Sequence, residues 1–431
     1  MKIRNHCRLP LLLTVALGSA FALSAKSQES IETRPRPLTL SVAVQNALIN
    51  NPEIRVLQAD VASARGELTI AKTWDNPDLT VSPGFKQFRD LSDTQFHGDF
   101  GLEQPFEWPG KRALRRAIAE KDVELRGLAL DGFRSQLAIQ VRHAYLALQT
   151  AQQVAALREQ QLAVAKAFAD AARKKVEAGF APDFEATKAE VEIVAAQKSL
   201  REAKAQGDVA VVRLNTLMGA KPDQKLDIAE VAPESADFPS RTKLLAVALA
   251  ENPALKLKFT EAARAGLELR STRKSRLPDF RAEPNVEYTR DEQIYGFGVT
   301  LPLPLWNRKQ GEITRANAEL EKVRAGVDQL QREIAGDVTA ASQDLAAAND
   351  SLAYYTTDLR RKLKTALDTA EQSYAEGRTS LLLYLEAQRT YFDTQADYFS
   401  TLQKLHDAES ALASAVGLPL GQIHQTLNQN H

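Results

Sequence analysis

The chain has 431 residues with 55 basic and 55 acidic side chains. A formal net charge of zero argues against a nucleic-acid binder, whose phosphate contacts call for a basic surplus. Apart from its start, no span holds the roughly 20 apolar residues of a transmembrane helix, and the single cysteine, Cys7, excludes a disulfide framework or a thiolate metal site.

Lys2, Arg4 and Arg8 precede the apolar run 9–23, and small residues follow at Ala20, Ala22, Ser24 and Ala25. This predicts an export signal over residues 1–25, cleaved between Ala22 and Ala25. Cys7 lies before the apolar run, whereas an acylated lipoprotein cysteine lies after it, so the mature chain is expected to carry no lipid. An exported chain without disulfides fits a Gram-negative envelope protein.

The rest says the same thing twice. Asn51-Pro52 recurs as Asn252-Pro253, and Asn76-Pro77-Asp78 as Leu277-Pro278-Asp279, each 201 residues on. Trp108 recurs as Trp306, Gly179 as Gly377 and Gly219 as Gly417, each 198 residues on. Landmarks in one order at nearly one spacing mean duplication. The repeats are placed at 26–220 and 241–418, joined by a linker at 221–240 whose prolines and acids suggest a wrap around the waist of the helical part. A polar tail follows at 419–431.

Behind an initial helix, each repeat carries a strand hairpin, at 77–106 and at 278–304. Leu79, Val81, Pro83 and Phe85, then Phe96, Gly98, Phe100 and Leu102, alternate with polar or small residues. Phe280, Ala282, Pro284, Val286 and Tyr288, then Tyr295, Phe297, Val299 and Leu301, do the same. Period two means strands, and about 10–12 residues suffice to cross an outer membrane at a tilt. Polar loops at 89–94 and 289–293 connect them.

Next comes a proline-free stretch, and proline in a helix interior costs about 3 kcal/mol. None lies between Gly110 and Ala181, between Asp183 and Lys221, or between Leu305 and Leu418. The expected helices are 109–178 and 183–218 in the first repeat, and 306–376 and 380–416 in the second. The longer ones reach roughly 100 Å at 1.5 Å per residue. Apolar residues at Leu137, Ile139, Val141, Tyr145, Leu146 and Leu148 interleave with Gln140, Arg142 and His143. Such helices need neighbours on two sides, as in a coiled coil or a ring.

Four spanning strands cannot close a barrel, and an open edge in lipid leaves backbone groups unpaired at several kcal/mol each. Strands must be borrowed from further copies; two copies give eight and three give twelve, and bacterial barrels start at eight.

This order of elements, over about residues 38–417, resembles the TolC-like outer-membrane efflux proteins. Gln104-Pro105-Phe106-Glu107-Trp108-Pro109-Gly110-Lys111-Arg112 and Leu301-Pro302-Leu303-Pro304-Leu305-Trp306-Asn307-Arg308-Lys309-Gln310-Gly311-Glu312 look like the cobalt–zinc–cadmium branch, channels for heavy-metal export. The resemblance implies a mainly α fold with a membrane β part, in which a duplicated protomer closes as a homotrimer. Twelve strands then form one β-barrel in the outer membrane and twelve helices a tunnel through the periplasm. It also implies a periplasmic adaptor (membrane fusion protein) and an inner-membrane RND-type pump.

At the barrel–helix junctions, Pro109 suits the first helical turn, and Trp108 and Trp306 suit a membrane–water boundary. Lys111, Arg112, Arg115 and Arg116, with Arg308, Lys309 and Arg315 in the second repeat, run against the helix dipole. They are expected to face anionic head groups of outer-membrane lipid. The helix turns are Gly179-Phe180-Ala181-Pro182-Asp183 and Gly377-Arg378-Thr379-Ser380, where the glycine permits the reversal and the hydroxyls can cap the next helix. The resemblance makes these turns the adaptor-docking periplasmic tip and the closed end of the tunnel. Its acidic gate positions, six and nine residues past the tip glycine, correspond to Leu383 and Glu386, and in the first repeat to Glu185 and Lys188. Leu383 departs from the acid, so a hydrophobic plug is expected there and one acidic ring at Glu386.

No two histidines among His6, His97, His143, His406, His424 and His431 stand at the helical ligand spacing i and i+4, so neither a metal site nor any cofactor is expected. No nucleophile–base set or phosphate loop points to an enzyme. The leading reading is a passive channel of a tripartite metal exporter. The same fold serving drugs or type I protein secretion is the second, and a poreless envelope coiled coil the third.

Overall fold

The computed structural model describes residues 37–87, 94–231, 239–289 and 291–429. The expected signal, most of the first hairpin's loop and part of the linker lie outside the described residues. The first repeat runs α1 (Leu40–Asn50), α2 (Pro52–Lys72), β1 (Asp78–Gln87), β2 (Thr94–Phe106), α3 (Lys111–Glu177) and α4 (Asp183–Leu217). The second runs α5 (Arg241–Glu251), α6 (Pro253–Lys274), β3 (Phe280–Thr289), β4 (Gln293–Thr300), α7 (Gln310–Ala353), α8 (Thr357–Ala375) and α9 (Leu381–Val416), followed by α10 (Leu420–Gln429). Among the described residues no helix is long and apolar enough to cross a membrane.

The sequence landmarks meet in space. Asn51 interrupts α1–α2 and caps α2, its Oδ1 accepting from the Glu53 N–H at 2.9 Å, with Pro52 in the first helical position where it lacks nothing. Its Nδ2 donates to the Leu217 carbonyl at 3.1 Å, an orphan acceptor at the end of α4. Asn252 repeats this, capping Ala254 and Leu255 and donating to the Ala415 carbonyl at 3.2 Å at the end of α9. Gly219 and Gly417 close the two joints at φ 68° and 84°.

Two apolar clusters are built on these joints. Ala43, Ala47, Ile54, Leu137, Val141, Tyr145, Leu148 and Leu214 form the first. Leu244, Ala248, Leu255, Val338, Leu345, Leu405, Leu412 and Val416 form the second. The linker is tied to the first repeat. Leu38 bridges Ile228 in parallel, and the Tyr145 hydroxyl donates to the carbonyls of Leu38 and Ala229 at 2.7 and 2.6 Å.

Three expected boundaries are corrected. The helix expected at 306–376 is two, α7 and α8, parted at Tyr354–Thr356. Thr356 Oγ1 caps α8 by accepting from the Leu359 N–H at 3.1 Å, while Tyr355 packs on Tyr398 at 6.0 Å between ring centres. The long helix of the first repeat begins at Lys111, not at Pro109, because Gly110 at φ 89° occupies the cap. The polar tail contains α10, whose Leu420 and Ile423 are buried in the second cluster.

The four strands form one antiparallel sheet in the order β1-β2-β3-β4. Val81 pairs with Phe100, Phe100 with Val286, and Val286 with Tyr295, so one apolar face runs across all four strands. β1 and β4 are left as open edges.

Candidate functional site

The apolar face of the sheet is bare. Leu79 is 71% exposed, Phe85 77% and Tyr295 75%, with Val81, Phe100, Phe297 and Val299 beside them. A sheet with this face in water would be an aggregation surface; with its alternation of polar residues it is the wall of a membrane barrel. The other face therefore looks into the lumen. It carries His97, Asp99, Glu103, Arg281, Glu283, Asn285 and Glu287, alternating with the lipid-facing set.

At the junction below the sheet, the basic residues are engaged within the chain. Lys111 Nζ lies 2.9 Å from Asp279, which also accepts from the Trp108 N–H at 2.7 Å. Arg115 pairs with Glu107 at 2.7 Å and donates to the Thr73 carbonyl, and Arg116 pairs with Glu120 at 3.0 Å. Arg112 stacks over Trp74, 4.0 Å from the ring centre. Lys111 and Arg115, expected to face head groups, are thus paired with Asp279 and Glu107. The conflict with the helix dipole is met by Asp279 of the other repeat, an anion beside the start of α3. In the second repeat Lys309 takes the place of Gly110, at φ 61°, and its Nζ meets Glu312 at 2.8 Å. Trp306 is 87% exposed and Trp108 is partly covered.

The two turns at the far end share one geometry. Gly179, at φ 75°, donates to the Val176 carbonyl, and the Phe180 N–H to that of Lys175 at 2.8 Å. Gly377, at φ 74°, donates to Tyr374, and the Arg378 N–H to Ser373 at 2.8 Å. This left-handed closure satisfies the last helical carbonyls. Ser380 caps α9 by accepting from Leu383 N at 3.4 Å, and Pro182 leads into α4 at Asp183. Ala181 is half-buried, whereas Phe180 and Phe184 stand in solvent.

Phe168, Ala172, Ala189, Leu367, Tyr374 and Tyr384 lock the two hairpins together just behind the turns. Lys175 donates to the Tyr374 carbonyl and lies 3.8 Å over its ring. The Tyr374 hydroxyl donates to Glu185 at 2.8 Å. Burial, then the Glu185 carboxylate, raises the Tyr374 phenol above its ordinary range, so it stays a donor at any physiological pH. Glu185, expected at the gate, thus also ties the two hairpins together. Leu382, Leu383 and Glu386 are exposed on α9, with Leu383 in a groove beside Arg378 and Thr379.

Residues 43–220 and 244–418 match the family model described as outer membrane efflux protein. The chain belongs to the outer membrane efflux protein family. It is 28% identical, over 95% of its length and 99% of the relative's, to the cobalt-zinc-cadmium resistance protein CzcC of Cupriavidus metallidurans. It is 26% identical to the nickel-cobalt-cadmium resistance protein NccC of Alcaligenes xylosoxydans xylosoxydans, over 77% of this chain and 75% of that one. Among solved structures, CusC superposes with a TM-score of 0.74 at 16% identity, covering 88% of this chain and 91% of that one.

An outer membrane efflux protein is a non-enzymatic duct of the outer membrane that reaches into the periplasm, and such channels work with an adaptor and an RND pump in tripartite systems. In this member the fold assigns the bare sheet to the membrane and the helices to the periplasmic conduit. Sequence reasoning missed one grouping. His97, Asp99 and Glu287 present ligand-type atoms all within 4.8 Å of one another on the lumen face. The signal was there as His97 and Asp99 at i and i+2, the same-face spacing of a strand rather than of a helix.

Proposed function

We propose that the chain is the outer-membrane channel of a tripartite exporter of divalent heavy-metal cations. In this reading it assembles as a homotrimer, takes its substrate from a periplasmic adaptor of the membrane fusion class, and is driven by an inner-membrane RND-type pump. The observation that carries it is the end-to-end similarity to a cobalt-zinc-cadmium resistance protein, together with the motifs at 104–112 and 301–312. The open edges of β1 and β4 support assembly, since three copies supply twelve strands and leave no unpaired backbone in lipid. The turns Gly179–Asp183 and Gly377–Ser380 are the adaptor-docking tip in this reading. Trp108 and Trp306 sit at the membrane boundary, and the exposed Arg308 faces lipid head groups.

A deletion strain grown on graded zinc, cobalt, cadmium, copper, silver and unrelated drugs tests the substrate. Hypersensitivity confined to a set of metals, reversed by the restored gene, is the expected result. Sensitivity to drugs alone would keep the channel and remove the metal reading. The same fold serving drug efflux or type I protein secretion is the second reading.

The gate is assigned to Leu383 as an apolar plug, with Glu386 as an acidic ring that weakly favours cations. Leu383→Ala is expected to raise passive antibiotic entry into cells several-fold more than Glu386→Ala; equal leak from both rules out the plug.

A further inference from the structure

We propose that His97, Asp99 and Glu287 form a divalent-cation site on the lumen wall of the β-barrel, one per protomer. His97 and Asp99 project from the same face of β2, two residues apart, and Glu287 lies directly across from Asp99 on β3. His97 Nε2 is 3.3 Å from Asp99 Oδ2, and its Nδ1 is 3.5 Å from Glu287 Oε1. That Nδ1 is enclosed and has no hydrogen-bond partner. The imidazole ring therefore stands between two carboxylates, with Nε2 facing Asp99 and Nδ1 facing Glu287.

The three groups are half-buried, with small neighbours on the same face of the sheet. Gly84 stands opposite His97 on β1, and Gly101 follows Asp99 on the same face, so neither neighbour fills the position in front of the ligands. Among the described residues no lysine or arginine pairs with Asp99, Glu287 or the nearby Glu283, while Arg281 is taken by Glu103 at 3.2 Å. Two carboxylates balance the charge of a divalent ion, and one imidazole biases the set toward zinc, cobalt, nickel or cadmium over calcium and magnesium, which prefer oxygen alone. Three protein ligands leave the remaining coordination positions to water, through which a bound ion can exchange with the lumen. A duct needs this, since an ion must enter readily and still leave.

Binding at the site is independent of the export reading; only its use in transport rests on that reading. The test is a titration of the full mature protein, purified as the detergent-solubilised oligomer, with Zn2+ and with Co2+. Equilibrium dialysis gives the stoichiometry and the visible spectrum of Co2+ reports its ligands. Wild type is expected to take up one ion per protomer saturably. His97→Gln, Asp99→Asn and Glu287→Gln are each expected to weaken uptake at least as much as the roughly tenfold that loss of an outer-shell partner costs. His424→Gln, on α10, is the control expected to keep the wild-type curve.

No saturable uptake by wild type overturns the proposal without reference to any variant. So does uptake that His97→Gln leaves unchanged in affinity and spectrum. Saturable uptake together with a deletion strain insensitive to metals keeps the site and removes the metal-export reading; the reverse pair removes the site alone.

Discussion

Gly219→Ala and Gly417→Ala are each expected to lower stability by about 2–5 kcal/mol and to deplete the protein from the outer membrane. Both glycines have positive φ, where an L side chain costs about 1–2 kcal/mol. A Cβ at Gly219 would stand 2.6 Å from the Asn50 carbonyl oxygen and 3.0 Å from its carbon, and backbone cannot swing aside. A Cβ at Gly417 would stand 2.8 Å from Pro253 Cδ and 2.9 Å from the Asn252 amide that holds the joint. Such overpacking adds a further ~1–3 kcal/mol. Gly66→Ala is the contrast. It lies inside α2 with nothing within 4 Å of a new Cβ, and alanine there is expected to gain up to about 1 kcal/mol. Thermal midpoints of the purified protein and immunoblots of outer-membrane fractions check both. A Gly219→Ala protein as stable as Gly66→Ala would show that the joint is loose.

The second large effect is expected at Arg142. Glu409 on α9 is buried, with its side chain 5% exposed, and meets Arg142 of α3 at 3.0 Å and His406 at 3.6 Å. Next to it, His143 and Asp407 make a parallel pair at 2.7 Å. Arg142→Met leaves a buried carboxylate without its cation, a loss of about 3–5 kcal/mol, whereas Arg142→Met with Glu409→Leu is expected to recover most of it.

These groups also set an acid limit. Burial opposes ionisation of Glu409, but His406 and Arg142 outweigh it and hold the carboxyl below its usual range. The hydrogen-bonded His143 does the same for Asp407 against its own burial. A lowered folded pKa contributes stability that is complete above the unfolded value, about 4, and lost as pH falls through the lower folded value. Wild type is therefore expected to lose stability on acidification through this range, and the gap to Arg142→Met to narrow there. A gap that stays constant from pH 7 down to about 3 would mean that Glu409 is not the group responsible.

Most of the architecture was legible because it rests on local signals. Proline spacing marked the helices of the first repeat, and period-two alternation marked the sheet and its two faces. Asn51, Asn252, Gly219 and Gly417 stood out as repeated letters, and they are partners in two joints. What escaped was set by contacts distant in sequence. The break at Tyr354–Thr356 has neither proline nor glycine; it depends on Tyr355 and Arg360 packing against Tyr398, with Thr356 as the cap. Lys111 and Arg115 looked like a head-group patch because Asp279 lies in the other repeat and Glu107 just past the end of β2. α10 was hidden by its glutamines and asparagines, although Leu420, Ile423 and Leu427 recur at helical spacing. The lumen triad needed β2 and β3 to be adjacent, which no single stretch of sequence states.

The meeting of β2 with β3 has a further meaning, because it is where one half of the duplication touches the other. In a ring of such chains every seam between halves is approximately equivalent, whether or not it falls within one chain, giving a pseudo-sixfold arrangement. At the seam within the chain, Phe100 lies opposite Val286. In the proposed homotrimer, moving each residue to its counterpart in the other half would put Val299 opposite Phe85 of the next copy, so the chain would carry within itself a template of its own boundary.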